Sequence, residues 1–317
     1  MNYHLNQRSQ RIVEGLIPEA SSLRISAEKV SEGGTVLDFG IKAEGGLAAG
    51  LALARVCTAG LADISVVPGE LGGVGWPHVQ VSSDHSVAAC LFSQYAGWQV
   101  SVDKFFAMGS GPMRAASARE ELFEKLNYRE QVESVVGVLE GRKLPNAAVF
   151  AMLADKTGVP VDKVTLLIAP TASVAGNFQV VARVVETALH KLFESGFDLG
   201  RIRSAFGTAP LSPVAKDDLT GIGRTNDAIL YGGRVTLWVR GDDESLAEIG
   251  PKIPADSSPA YGQPFLQIFE DAGRDFYKID PHLFSPAEIV FQNLDTGRVH
   301  RFGRVNPSVL CRSFGLE

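Results

Sequence analysis

The sequence predicts an α/β or α+β protein, and three observations carry that class. Helical and strand periodicities alternate along the chain. The stretch "KVTLLIAP" is apolar over the length of a strand and reads as a buried one. Toward the C-terminus, "AILYGGRVTLWV" and "EIVFQNLDTGRVHRFG" read as hairpins, which adds antiparallel pairing.

Taken in order, residues 3–16 place Leu5, Ile12 and Leu16 at helical spacing, and residues 47–61 form a Gly- and Ala-rich helix suited to close packing. "DISVV" and "HVQVSSD" are strands, the second running into a helix near residues 86–97. "FFAMGSGPMRAASAREELFEKL" is a strand end, a Gly-rich turn and a helix entered through Pro112. Proline suits that position because its missing N–H would have no partner there. "VESVVGVLEG" is a strand and "NAAVFAMLADKTG" a helix. In "AILYGGRVTLWV" the pair Gly232-Gly233 supports a tight turn between two strands, since glycine accepts positive φ.

A length of 317 residues suggests two domains of roughly 150 residues each. We place the split between residues 1–160 and 161–317, with lobes free to be discontinuous in sequence. "VQVSSDHSVAACL" and "LLIAPTASVAGNF" both run from strand through a polar turn and Ser-Val-Ala into small residues, an echo compatible with duplication. With 45% hydrophobic and 21% charged residues the chain is of the ordinary soluble globular type. A net charge of −6 and the lack of a Lys/Arg-rich run argue against a nucleic-acid partner. Cys57, Cys90 and Cys311 are odd in number, far apart and without CxxC spacing, which disfavours a disulfide framework or zinc ribbon. The first twenty residues lack the apolar core of a signal peptide, and the apolar run at 46–62 is interrupted by Arg55. A cytoplasmic protein with no membrane partner is expected.

The stretch "NFQVVARVVETALHKL" carries the sharpest chemical question. On a helix, Val181, Val184, Val185, Ala188 and Leu192 share one side, while Gly176, Gln179, Arg183, Glu186, Thr187 and His190 share the other. Arg183 and Glu186 are either a solvated pair or a carboxylate held by a guanidinium on a rigid rod. A solvated pair would contribute only about 0.3–0.5 kcal/mol. The Arg-before-Glu order is the weaker one for helix stability. Periodicity leaves both readings open.

Other candidates have plain alternatives too. "MGSGPMRA" could cradle an anion on its backbone N–H groups beside Arg114, or simply turn a strand into a helix. It lacks the spacing of a dinucleotide or nucleotide loop. Ser82-Ser83-Asp84-His85 ends a strand and serves equally well as a capping cluster. "GRTNDAILYGG" gathers polar groups that turn chemistry explains. The six histidines show no metal-ligand spacing, so no metal site is expected, and there is no GxSxG elbow.

Several segments, "WPHVQVSSDHSVAACLFSQYAGW", "MGSGPMRA", "PTASVAGNFQVVARVVETALHKL", "TNDAILYGG" and "SSPAYGQPF", together resemble the methenyltetrahydromethanopterin cyclohydrolase family. They run collinearly from Trp76 to Phe265, with weaker similarity at "EGGLAAGL" and "DFYKIDPHLFSPAEI". The resemblance implies two lobes of mixed sheet and helices enclosing a central pocket, assembled as a homo-oligomer, with a trimer favoured. It implies reversible addition of water to the N5,N10-methenyl bridge of a pterin carrier, without cofactor or metal. Arg183 and Glu186 match the family's essential pair, Glu186 as general base and Arg183 as its orienting partner. Pocket walls then fall at Ser83, Asp84 and His85, at Gln94 and Tyr95, at Gly109, Ser110 and Gly111, and at Asn226 and Asp227. Arg114 or Arg224 is placed to meet an acidic tail. Where some relatives carry a lysine near "SQ-x-AGW", this chain has Gln94 and Tyr95, and the nearest lysine is Lys104. The competing readings are a non-catalytic pterin-binding protein and a phosphate-binding transferase using the Gly-rich turn at 109–111.

Overall fold

The computed structural model describes residues 2–30, 33–275 and 278–316. Phe276 and Tyr277 of the "DFYKIDPHLFSPAEI" segment lie outside the described residues. The strands are β1 (Ser26–Lys29), β2 (Thr35–Asp38), β3 (Asp63–Leu71), β4 (Val74–Ser83), β5 (Trp98–Val102) and β6 (Phe105–Ser110). They continue as β7 (Val135–Glu140), β8 (Val164–Ala169), β9 (Ile202–Pro210), β10 (Arg234–Val239), β11 (Glu288–Asn293) and β12 (Val299–Gly303). The α-helices are α1 (Leu5–Leu16), α2 (Leu47–Cys57), α3 (Met113–Ser117), α4 (Glu121–Lys125), α5 (Ala147–Thr157) and α6 (Val174–Val181). After these come α7 (Val184–Glu194), α8 (Asp218–Gly232), α9 (Asp243–Ile249), α10 (Phe265–Asp271) and α11 (Pro307–Phe314), and a π-helical segment spans Val87–Gln94. The class is α/β, with two mixed six-stranded sheets.

The described residues group into two compact units, each discontinuous in sequence. The first takes in Met1–Ala62 and Ala88–Gln179, the second Asp63–Val87 and Val180–Glu317.

In the first unit the strand order is β1-β2-β8-β7-β6-β5, with β2, β8 and β7 mutually parallel. Parallel strands covered on both faces need apolar side chains on both, which is why "VVGVL" and "VTLLIA" are buried without alternation. Leu37, Val136, Val138 and Leu167 pack in one cluster with Val13, Leu53 and Val56 from α1 and α2. Val36, Val135, Leu139, Leu166 and Ile168 turn the other way, onto Val149, Phe150 and Leu153 of α5. Each such side chain contributes about 1.5–3 kcal/mol on burial. Helix α5 starts where Asn146 accepts the Val149 N–H with its side chain (3.2 Å) and ends on Gly158 in the left-handed region.

The second unit has the order β12-β11-β10-β9-β4-β3, with only β10 and β11 parallel. Here burial alternates. Val235, Leu237 and Val239 point into the core, while Thr236 and Trp238 stay half-exposed. That is the pattern of a sheet with one face covered. Helix α7 packs directly on β9: a Cβ on Gly207 would lie 2.7 Å from Cγ2 of Val185.

Two expectations need correction. The hairpin at Gly232-Gly233 does not form, because "TNDAILYG" belongs to α8, capped at its start by the Asp217 side chain accepting from Thr220 N (2.8 Å). Neither glycine takes positive φ, and each instead permits close approach, Gly232 to Pro210 and Gly233 to the Ile229 carbonyl. A Gly-Gly hairpin does occur, at Gly72-Gly73 between β3 and β4, where φ is +58° and +81° and Leu71 pairs with Val74. The stretch 177–192 is not one rod: α6 ends at Val181, α7 begins at Val184, and Arg183 is its N-cap residue. The Ser-Val-Ala echo opens a π-helical segment at one site and α6 at the other.

Candidate active site

Arg183 stands at the turn between α6 and α7, its N–H donating to Val180 O (3.0 Å) and its carbonyl accepting from Thr187 N (2.9 Å). Glu186 follows in the first turn of α7. A carboxylate in the first turn of a helix is favoured by the unpaired N–H groups there. Arg183 is 7% exposed and Glu186 3% exposed, so the solvated-pair reading is excluded. On the polar side Gln179 is buried as well, while Thr187 and His190 are half-exposed.

Beyond the stretch itself, Gln179 Nε2 donates to Glu140 Oε1 over 2.9 Å. Glu140 ends the otherwise apolar strand β7. Carboxyl ends of parallel strands are where open α/β sheets collect ligands, so this carboxylate is a candidate that the sequence reading passed over. The signal was there, a lone acid closing "VVGVL". At the same end of the sheet, Asp38 accepts from the N–H groups of Gly40, Ile41, Lys42 and Ala43 at 2.7–3.0 Å, which fixes the following loop. Further along α7, Lys191 is buried and its Nζ donates to His282 O (2.5 Å). Burial brings its ammonium down to about 8, with Asp280 opposing.

Ser83 and Asp84 lie at the end of β4. Ser83 Oγ accepts from His85 N (2.9 Å), and Asp84 Oδ1 accepts from Ser204 Oγ (2.6 Å). Both line a hollow of about 410 Å³ with Phe206 and Trp238, whereas His85 is exposed.

Gln94 closes the π-helical segment and is buried; Tyr95 follows half-exposed, its N–H donating five residues back to Cys90 O (2.8 Å). Gly109 and Ser110 are the last residues of β6, and Gly109 pairs with Trp98 and Leu139. Gly111 has φ +85° and its N–H donates to Ser93 O (2.8 Å). The helix after it, α3, has five residues. The Gly111 amide, one donor that an anion cradle in "MGSGPMRA" would use, is thus spent on the neighbouring segment.

Arg114 was expected to meet an acidic tail, and the structure puts it elsewhere. It is fully buried, paired through Nε and Nη2 to Glu120, with Nη1 donating to Leu91 O (3.0 Å) and Ser93 O (3.3 Å). Arg224 is likewise spent on backbone, donating to Val214 O (2.8 Å) and Ser313 O (3.2 Å). Asn226 Nδ2 donates to Ile222 O within α8 (2.8 Å). Asp227 is wholly buried, accepting from Phe265 N (2.8 Å) and Ser313 Oγ (2.5 Å), and so ties α10 and α11 to α8. Burial pushes its carboxyl up to about 7, against the lowering effect of those two hydrogen bonds.

Among the described residues no group of three His, Cys, Asp or Glu side chains is arranged to hold a metal ion. No helix among them is long and apolar enough to cross a membrane.

The family profile described as "Cyclohydrolase (MCH)" matches residues 4–314. The chain is 40% identical over 316 residues to the methenyltetrahydromethanopterin cyclohydrolase of Methanosarcina barkeri, covering 99% of this chain and 98% of that one. It is 46% identical over 289 residues to the protein of that name from Rhodopirellula baltica, covering 90% and 87%. For the one from Methylobacterium sp. (strain 4-46) the figure is 45% over 316 residues, covering 98% and 97%. Identity at this level along nearly the whole length shows that the chain belongs to the MCH cyclohydrolase family.

Proposed function

We propose that this chain catalyses reversible hydrolysis of the N5,N10-methenyl bridge of a tetrahydromethanopterin-type carrier to the N5-formyl form. The observation that carries the reading is the burial of Arg183 and Glu186 one turn apart at the start of α7, in a chain with full-length relatives bearing that name.

The bridge is an amidinium cation, so its carbon is electrophilic before the enzyme acts, and the reading calls for no cofactor or metal. Water oxygen bonds to that carbon while one water proton passes to Glu186, giving a neutral tetrahedral adduct. Glu186 then returns the proton to N10 as the C–N10 bond breaks. The hydroxyl proton leaves as the formyl C=O forms, so one proton is released per turnover and the formyl side gains tenfold per pH unit. General acid–base help of this kind contributes roughly 10²–10⁴-fold, and fixing carrier and water in register adds the proximity term. Arg183 stays protonated and keeps Glu186 anionic and oriented.

In this reading Gln94, Tyr95 and Gly109 to Gly111 are candidate carrier contacts of the first unit, and Ser83, Asp84, His85 and Asn226 are those of the second. A homo-oligomer, taken as a trimer, in the cytoplasm belongs to the same reading, and sedimentation measures it.

The test is to add purified protein to the methenyl carrier and follow loss of its near-ultraviolet absorbance, with methenyl-tetrahydrofolate in parallel. Acceleration over buffer is expected. Tight binding without consumption would instead make this a pterin-sequestering protein.

A further inference from the structure

The end of the π-helical segment poses a packing problem. The last carbonyls of any helix lack partners within it, and here they sit in the interior, with Leu91, Ser93 and Gln94 all buried. Cys90 O is taken by Tyr95 N. Leu91 O and Ser93 O are taken by Arg114 Nη1, a side chain reaching in from a different element. Ser93 O accepts from Gly111 N as well, and Ser93 Oγ donates to Cys57 O (2.6 Å).

Arg114 is in turn fixed on three sides. Glu120 meets it with both carboxylate oxygens, Nε lying 2.8 Å from Oε1 and Nη2 pairing with Oε2. The Tyr95 and Phe123 rings lie against its guanidinium, at 4.9 and 5.3 Å from centroid to Cζ. Next to Tyr95 the chain passes Gly97, where a Cβ would lie 2.3 Å from Glu120 Oε2 and 2.6 Å from Tyr95 Cε1. The carboxylate, the guanidinium and the tyrosine ring thus form one packed stack. A planar fork with five donors fits this arrangement, and a lysine ammonium does not.

We propose that Arg114, held by Glu120, is a positioning residue. It caps the π-helical segment through its carbonyls and braces the Tyr95 ring, and so fixes the Gln94–Tyr95 wall against which the carrier binds. The inference rests on the function proposed above. It gives Arg114 a role in substrate affinity that requires no contact with substrate. Single-turn π-helical irregularities tend to sit at functional sites.

The test compares Arg114→Lys and Glu120→Gln with the parent protein in steady-state kinetics on the methenyl carrier. A displaced wall raises KM by about tenfold or more in Arg114→Lys and by a smaller factor in Glu120→Gln, with kcat changed less than KM. A purely structural role would lower the active fraction and leave KM unmoved. Should either variant fold poorly, hydrogen exchange on the parent protein reports whether the end of the π-helical segment is held, and slow exchange at the Tyr95 amide, which donates to Cys90 O, is expected. KM unchanged in folded variants, or fast exchange at Tyr95 in the parent, overturns the proposal. A parent protein that does not consume the methenyl carrier overturns the functional reading itself, a distinct outcome.

Discussion

Gln179 Nε2 donates to Glu140 Oε1 over 2.9 Å, tying the last turn of α6 to the carboxyl end of β7. Four residues further along the chain stands Arg183. The bond therefore anchors the helix end from which the turn into Arg183 departs.

Glu140→Ala removes a hydrogen-bond acceptor from the buried amide of Gln179. The expected cost is about 1–3 kcal/mol of stability, with a loss of turnover because the Arg183 turn loses its anchor. Glu140→Gln keeps an acceptor oxygen and should recover most of both. Urea titration and kcat on the same samples decide the matter. Equal damage in the two variants would mean that the charge of Glu140 matters, not its hydrogen bond.

Glu186→Gln should bind the methenyl carrier nearly as well as the parent and lose roughly 10²–10⁴-fold in kcat. Arg183→Lys keeps a charge but loses the planar fork, and a large kcat loss is expected there too. Near-parental kcat in Glu186→Gln would remove Glu186 as the base.

Asp227 makes stability depend on pH. Its folded value, about 7, lies above the unfolded carboxylate value of about 3.9. The folded state therefore holds a proton that the unfolded chain releases between those limits. The contribution is complete below about pH 4 and is lost as pH rises through about 7, a change on the order of 2–4 kcal/mol. In Asp227→Asn that slope should flatten. Denaturation at several pH values measures it, and parallel profiles for the two proteins would refute the assignment.

Gly72→Ala and Gly73→Ala each force an L-residue into the left-handed region, at about 1–2 kcal/mol per site. Gly72→Ala should cost more, since its Cβ would meet Cys311 Sγ at 2.7 Å, whereas nothing lies near that of Gly73. Thermal melts of the two variants rank them.

The sequence is most readable where burial is simplest. β7 and β8 are apolar on both faces, so their strands stand out, and α5 carries both its caps in plain letters. The Gly-Gly pairs were harder. Both pairs sit beside apolar runs, and only the helical contacts of α8 show that Gly232 and Gly233 are there for closeness instead of turning. Arg183 and Glu186 were chemically legible but environmentally ambiguous, because a polar helix side that is buried has the same letters as one in water. Arg114 was misread because an arginine after a Gly-rich turn suggests a ligand, while its partners Leu91, Ser93 and Glu120 contribute backbone carbonyls and a carboxylate whose convergence no spacing rule encodes.

The chain passes between its two units at residues 62/63, 87/88 and 179/180, and this has a consequence for synthesis on the ribosome. β3 and β4 emerge early, but the neighbour of β4 in the sheet, β9, follows roughly 120 residues later. At about 5–20 residues per second, the hairpin waits roughly 6–24 seconds with an open edge. During that interval it has only its own local pairing, and the turn at Gly72-Gly73 is the piece of the second unit that has to work first.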